Sequence, residues 1–248
     1  MIVYYHVPDK WPLNGCVVMV MHGMDRDAEA YMRTCMDVTR NTRVAIICPE
    51  FSRAEFPTRV EYNWGNVISH DGHQLSLGNE SLSVIEGVYD DFCARVGRCG
   101  SLGYYLYGHS AGAQFVHRCV ALERCDRIIR AFACNAGVWT FPTVMWRYPF
   151  GMAGVEEHIR AFLQAPLVVM LGEEDTDPCH RHLDTSPLSM AQGATRLERG
   201  LHFFSAGRQA AQVLCVPFGW TLHTVGGAGH SHRAMFNAFF SYYLRDTI

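Results

Sequence analysis

The chain has 248 residues, 49% hydrophobic and 18% charged, with a formal net charge of −3. That is enough apolar material for one sizeable core and too much for a disordered chain. The mild negative charge argues against nucleic acid as an obligate partner. No apolar run approaches the roughly 20 residues that span a bilayer.

Residues 2–7 read as a first edge strand, closed by Pro8 and Pro12. Cys16-Val17-Val18-Met19-Val20-Met21 is continuously apolar, as expected of a strand covered on both faces, and runs into His22-Gly23-Met24-Asp25. Asp27 is placed to N-cap a helix that turns Ala30, Tyr31, Cys35 and Val38 inward. Val44-Ala45-Ile46-Ile47-Cys48 is the next buried strand. Residues 51–79 lack periodicity and carry Phe56, Tyr62 and Trp64. A loop of that length in a compact domain is usually functional or has small elements of its own. The spacing predicts an amphipathic helix over 80–96 and a strand over 102–107.

That strand breaks at Gly108-His109-Ser110-Ala111-Gly112, and helical spacing resumes with Phe115, Cys119 and Leu122. A serine between two glycines at a strand-to-helix junction has a mechanical meaning. The turn is tight and strained, its neighbours at ±2 must lack side chains, and the hydroxyl is pushed out beside the helix N-terminus. The plainer alternative is a Gly-rich turn capped by serine. A strand over 128–134 then leaves at Asn135-Ala136-Gly137. Residues 138–165, with Trp139 and Trp146, are aromatic and proline-punctuated: a pocket wall or short cap, or a core-packing excursion. Residues 167–171 form a strand delivering Gly172-Glu173-Glu174-Asp175. Residues 189–213 read as mostly helical, broken near Gly200. The last strand, 220–225, leads into Gly226-Gly227-Ala228-Gly229-His230, and a final helix covers about 231–245.

Alternating buried strands and amphipathic helices predict one α/β domain over 1–248: a mostly parallel sheet of about eight strands flanked by helices, with short loop insertions over the active site. In such sheets chemistry gathers beyond the carboxyl ends of the strands, and Gly23, Ser110, Asp175 and His230 all follow strands. Serine needs a base to take its proton, and the base needs a third group to hold its tautomer. Ser110, His230 and Asp175 are the candidates; Asp177 is the second choice of acid and His232 the second choice of base. His109 is expected to pack beneath the turn. Trp64, Trp139 and Trp146 are the candidate substrate-binding aromatics, with core packing as their alternative role.

The order serine, acid, histidine, with the glycine-flanked serine, resembles the α/β-hydrolase superfamily across nearly the whole chain. More narrowly, His22-Gly23-Met24-Asp25-Arg26-Asp27-Ala28, Cys48-Pro49-Glu50-Phe51, Phe56-Pro57, residues 108–118 and Asn135-Ala136-Gly137 look like bacterial esterases related to polyhydroxybutyrate depolymerases and feruloyl esterases. The resemblance implies an oxyanion hole from the N–H groups of Ala111 and Met24, an acyl-enzyme intermediate, a small-molecule ester substrate and no cofactor. Acyl transfer, thioester cleavage, or a catalytically silent binding protein on the same scaffold are the alternatives. A soluble ester is expected rather than an insoluble polyester.

A competing metal site could draw on His180, His182, His230 and His232 with Asp175, Asp177 and Asp184, but no H-E-x-x-H or cysteine-pair spacing supports it. Cys16, Cys48, Cys134 and Cys215 sit in apolar runs and read as packed thiols. Cys93/Cys99 and Cys119/Cys125 are possible pairs. No export signal is visible, so the expected location is cytoplasmic.

Overall fold

The inner strands of the sheet are largely apolar because each is covered on both faces. In the computed structural model, which describes residues 1–12, 15–69, 73, 81–97, 103–123 and 125–245, the strands are β1 Ile2–His6, β2 Cys16–Met21, β3 Val44–Glu50, β4 Tyr104–His109, β5 Ile128–Cys134, β6 Leu167–Gly172 and β7 Thr221–Val225. They form one sheet in the order β1-β3-β2-β4-β5-β6-β7. β1 pairs antiparallel with β3, and every other pairing is parallel. Among the described residues the sheet therefore has seven strands, where the sequence predicted about eight.

Successive side chains of a strand point to opposite faces. On β2, Val17, Met19 and Met21 enter one core while Val18 and Val20 enter the other. β6 divides likewise, with Leu167, Val169 and Leu171 on the first side and Val168 and Met170 on the second. The larger core also takes buried side chains of α2 (Val84–Val96), α3 (Ala111–Leu122), α4 (Ile159–Gln164) and α6 (Arg196–Leu214). The smaller core is closed by α1 (Ala28–Val38) and α7 (His232–Phe239). α7 continues into a wider turn over Phe240–Leu244. As expected, Asp27 caps α1, its carboxylate accepting from Ala30 N at 2.9 Å.

The helical region before β7 is broken at a different place from the one predicted. α5 (Pro187–Gln192) ends at Gly193, whose φ of +148° suits glycine, and Thr195 caps α6 in a reciprocal capping box with Glu198. α6 then runs unbroken through Gly200. There the missing side chain serves packing instead, since a Cβ would lie 2.3 Å from Leu171 Cδ2.

Chain progression reverses between β2 and β4: β3 lies on one side of β2, while β4 and the later strands lie on the other. In open parallel sheets such a switch point leaves a crevice beyond the strand ends. The loops after β2 and β4 meet there. Among the described residues no helix is long and apolar enough to cross a membrane. Cys93 is disulfide-bonded, and Cys99 lies outside the described residues. Cys119 and Cys125 are free thiols with sulfurs 3.7 Å apart.

Candidate active site

Ser110 stands between β4 and α3 with φ 59° and ψ −115°, a backbone state that an L-residue occupies only when its surroundings impose it. Two glycines make the imposition possible. A Cβ on Gly108 would lie 2.2 Å from Gly112 O, and one on Gly112 would lie 2.1 Å from Met21 O. The turn is held from the next strand, with Ser110 N donating to Cys134 O at 2.9 Å. Its hydroxyl consequently opens into a cleft of about 230 Å³ at the switch point.

His230, in the loop after β7, brings Nε2 to 3.1 Å from Ser110 Oγ and Nδ1 to 2.7 Å from Asp175 Oδ2. An ionised carboxylate only accepts, so the histidine proton sits on Nδ1 and the Nε2 lone pair faces the serine hydroxyl. Asp175 is buried, and its second oxygen lies 3.4 Å from Arg196 Nη1. Asp177 turns away and accepts from Cys179 N at 2.8 Å. His232 does not reach the serine. It is stacked on Tyr31 at 3.8 Å, and burial pushes its pKa down to about 3. His109 packs under the turn, its ring 4.6 Å from His230 and its Nδ1 3.3 Å from the Tyr31 hydroxyl. Burial first, then the neighbouring His230, holds its pKa well below the ordinary range.

Three residues outside the expected triad brace this arrangement. Asn135, in a left-handed conformation with φ 52°, links the acid and histidine loops. Its Nδ2 donates to Gly229 O at 3.1 Å, and its Oδ1 accepts from Gly172 N at 2.8 Å. Arg196, buried at the start of α6, spans Asp175 and His180, donating from Nη2 to His180 Nδ1 at 3.1 Å. The His180 ring stands 5.0 Å from His230, and its pKa is lowered by partial burial and then by Arg196. None of the three bracing roles has a local signature, because each works through contacts distant in the chain.

On the opposite side of the serine, Gly23 lets the β2 loop pass close to Tyr31, whose hydroxyl oxygen would lie 2.7 Å from a Cβ there. His22 is locked beneath: Phe51 N donates to its Nε2 at 3.0 Å, so it is neutral, and burial lowers its pKa to about 4. Arg26 holds the loop outward by donating to Phe51 O and Thr58 O at 2.6 and 2.9 Å. Met24 lines the cleft, and Ala111 opens α3 beside Ser110. Neither backbone N–H has an acceptor among the described residues.

A second cleft of about 250 Å³ shares Met24, Arg181 and His182 with the first, and Trp64 lines it. The other two tryptophans are corrected. Trp139 is wholly buried, stacked on Phe203 at 4.5 Å and clamped by Gln192 through both backbone groups. Trp146 packs edge-on against Phe141 at 5.5 Å and lines neither cleft. The aromatics of 138–165 thus go mainly to the core, because the space between α3 and α6 must be filled; Val138 and Phe150 alone reach the second cleft. Among the described residues no three His, Cys, Asp or Glu side chains are gathered as metal ligands. Both His230 nitrogens already have partners, and His180 Nδ1 accepts from Arg196.

Against known proteins, no family model and no curated sequence matches the chain. Solved structures do. Poly(aspartic acid) hydrolase-1 from Sphingomonas sp. KT-1 is 34% identical over 97% of this chain and 92% of its own, with a TM-score of 0.92. The chain belongs to the α/β-hydrolase superfamily. Within it, this hydrolase is also similar to LpqC, the poly(3-hydroxybutyrate) depolymerase from Bordetella parapertussis, at 29% identity over 97% of this chain and 84% of that one, with a TM-score of 0.89. FphF, a fluorophosphonate-binding serine hydrolase from Staphylococcus aureus, shares the α/β-hydrolase fold at 17% identity, covering 96% of this chain and 88% of that one, with a TM-score of 0.56.

Proposed function

We propose that this hydrolase cleaves carboxylic esters through a Ser110 acyl-enzyme. The observation that carries the reading is the relay through His230, 3.1 Å from the Ser110 hydroxyl and 2.7 Å from the Asp175 carboxylate. Ser110 Oγ attacks the ester carbonyl as His230 Nε2 takes its proton, and Asp175 stabilises the imidazolium that forms. The carbonyl oxygen, now an oxyanion, is met by the N–H groups of Ala111 and Met24. His230 passes the proton to the departing alcohol oxygen as the C–O bond breaks, leaving the acyl group on Ser110. A water then gives its proton to His230 and its oxygen to the acyl carbon, and the proton returns to Ser110 as the acid leaves.

The cleft favours a substrate longer than one acyl group, since it continues past Met24 into the second cleft. Both similar enzymes act, by name, on polymers, which fits a channel of this kind. A panel of chromogenic esters of graded acyl length tests the reading. Wild type should hydrolyse at least one with saturation kinetics, and Ser110→Ala should lose about 10⁴-fold in kcat/KM. A Ser110→Ala protein as active as wild type would overturn it.

A further inference from the structure

The second cleft presents a donor and an acceptor whose identities the packing dictates. Arg118 is wholly buried with no carboxylate partner among the described residues and gives its hydrogen bonds to Thr140 Oγ1, Asn63 O, Gln114 Oε1 and Pro149 O. A guanidinium only donates, so the Gln114 atom facing it at 3.2 Å must be the oxygen. The Gln114 NH₂ therefore points the other way. Asn63 meets that same oxygen at 2.9 Å, so the Asn63 atom there must be its NH₂. Asn63 Oδ1 is left as a buried acceptor without a partner, on a side chain within a residue only 1% exposed.

Both residues line the cleft. Gln114 Nε2 has no acceptor among the described residues, and Gly137 leaves it uncovered, since a Cβ there would lie only 3.4 Å away. A buried acceptor left unpaired is costly, so such a group in a natural structure calls for an explanation. Gln114 is one helical turn beyond Ser110, its own N–H donating to Ser110 O at 3.2 Å, so this cleft is within reach of an arm of a molecule held at the serine. Trp64 supplies an aromatic wall, fixed by Arg59 4.7 Å over its ring, and the Arg59–Asp184 pair at 3.0 Å closes the rim.

We propose that the second cleft is a subsite for a secondary amide in the uncleaved arm of the substrate: the amide N–H donates to Asn63 Oδ1, and its C=O accepts from Gln114 Nε2. A secondary amide carries one donor and one acceptor, the chemical complement of the acceptor and donor that Arg118 orients. Ester, ketone and hydrocarbon arms leave Asn63 unpaired. The proposal rests on the serine-hydrolase reading.

The test is a matched set of chromogenic esters with one scissile group and arms differing in a single unit. That unit is a secondary amide, its N-methyl derivative, or a ketomethylene that keeps C=O and loses N–H, placed at successive positions along the arm. At one position the secondary amide should exceed both analogues in kcat/KM by about 10-fold. In Asn63→Ala the acceptor for the amide N–H is gone, so that preference should vanish. Equal kcat/KM for all three arms at every position, with Ser110 still reactive, overturns the subsite alone, and the wild-type comparison decides this whether or not the variant folds. If no ester is hydrolysed and a fluorophosphonate leaves Ser110 unmodified, the serine reading falls and the subsite with it.

Discussion

At the scale of single residues, the account turns on three side chains acting as one unit. His230→Ala should cost about 10⁴-fold or more in kcat/KM, and the Ser110→Ala/His230→Ala double variant little beyond either single, because removing one member already disables the relay. Steady-state kinetics on all three variants checks this; losses that multiplied would mean that serine and histidine act separately. Arg196 is a positioning residue with an electrostatic signature. It touches Asp175 and His180 but not Ser110. Its positive charge offsets part of the field that the carboxylate casts on His230. In Arg196→Met the acid limb of the kcat/KM profile should therefore move to higher pH, by about one unit, with Arg196→Lys moving less. A uniform drop in kcat with an unmoved limb would make Arg196 merely structural.

At the scale of elements, the site is assembled from four strand-to-loop exits that share a carboxyl edge. Their mutual placement depends on few bonds. Asn135, standing after β5, joins two of them by bonding to the exits of β6 and β7. Asn135→Ala leaves Gly172 N and Gly229 O without that partner and should cost about 1–3 kcal/mol in urea unfolding. It should also lower kcat more than it raises KM, since the histidine and acid loops lose their common brace. The elbow is equally intolerant. Gly112→Ala drives a Cβ against Met21 O, a backbone atom that cannot swing aside, and should destabilise by about 1–3 kcal/mol or more. A Gly112→Ala protein with unchanged melting temperature and activity would contradict the packing of β2 against the start of α3.

At the scale of the molecule, buried histidines tie stability to pH. His22 and His117 each accept a backbone N–H on Nε2, from Phe51 and Thr140 respectively, which requires the neutral ring. Their pKa values are lowered by burial, to about 4 for His22 and well below the usual range for His117; those of His109 and His232 fall for the same reason. In the unfolded chain each protonates near pH 6.5. Below that pH the unfolded state takes up protons that the fold refuses, so this contribution is present above about 6.5 and lost as pH falls. Each histidine costs about 1.4 kcal/mol per pH unit down to its folded value. Urea midpoints should drop steeply from pH 7 to 5; a flat profile would mean these rings accept protons in the fold.

Much of this was legible before the structure, for reasons of range. The inner strands are largely apolar runs, and the elbow glycines, Asp27 cap and three strand-exit residues are local patterns. Among the described residues the sheet ends at its seventh strand, one short of the eight or so expected. Trp139 and Trp146 were misplaced because an aromatic residue in an irregular segment reads alike whether it fills a core or walls a pocket; the difference is the partner, here Phe203 and Phe141. The roles of Asn135, Arg196, Asn63 and Gln114 were not legible because they arise from contacts between distant parts of the chain.

The central claim, that Ser110 is the nucleophile activated by His230, is tested most directly by intact-protein mass spectrometry after treatment with a fluorophosphonate. The account predicts one covalent adduct mapping to Ser110, absent in Ser110→Ala and formed far more slowly in His230→Ala. An adduct on another residue, or no adduct on folded protein that still hydrolyses esters, would contradict it.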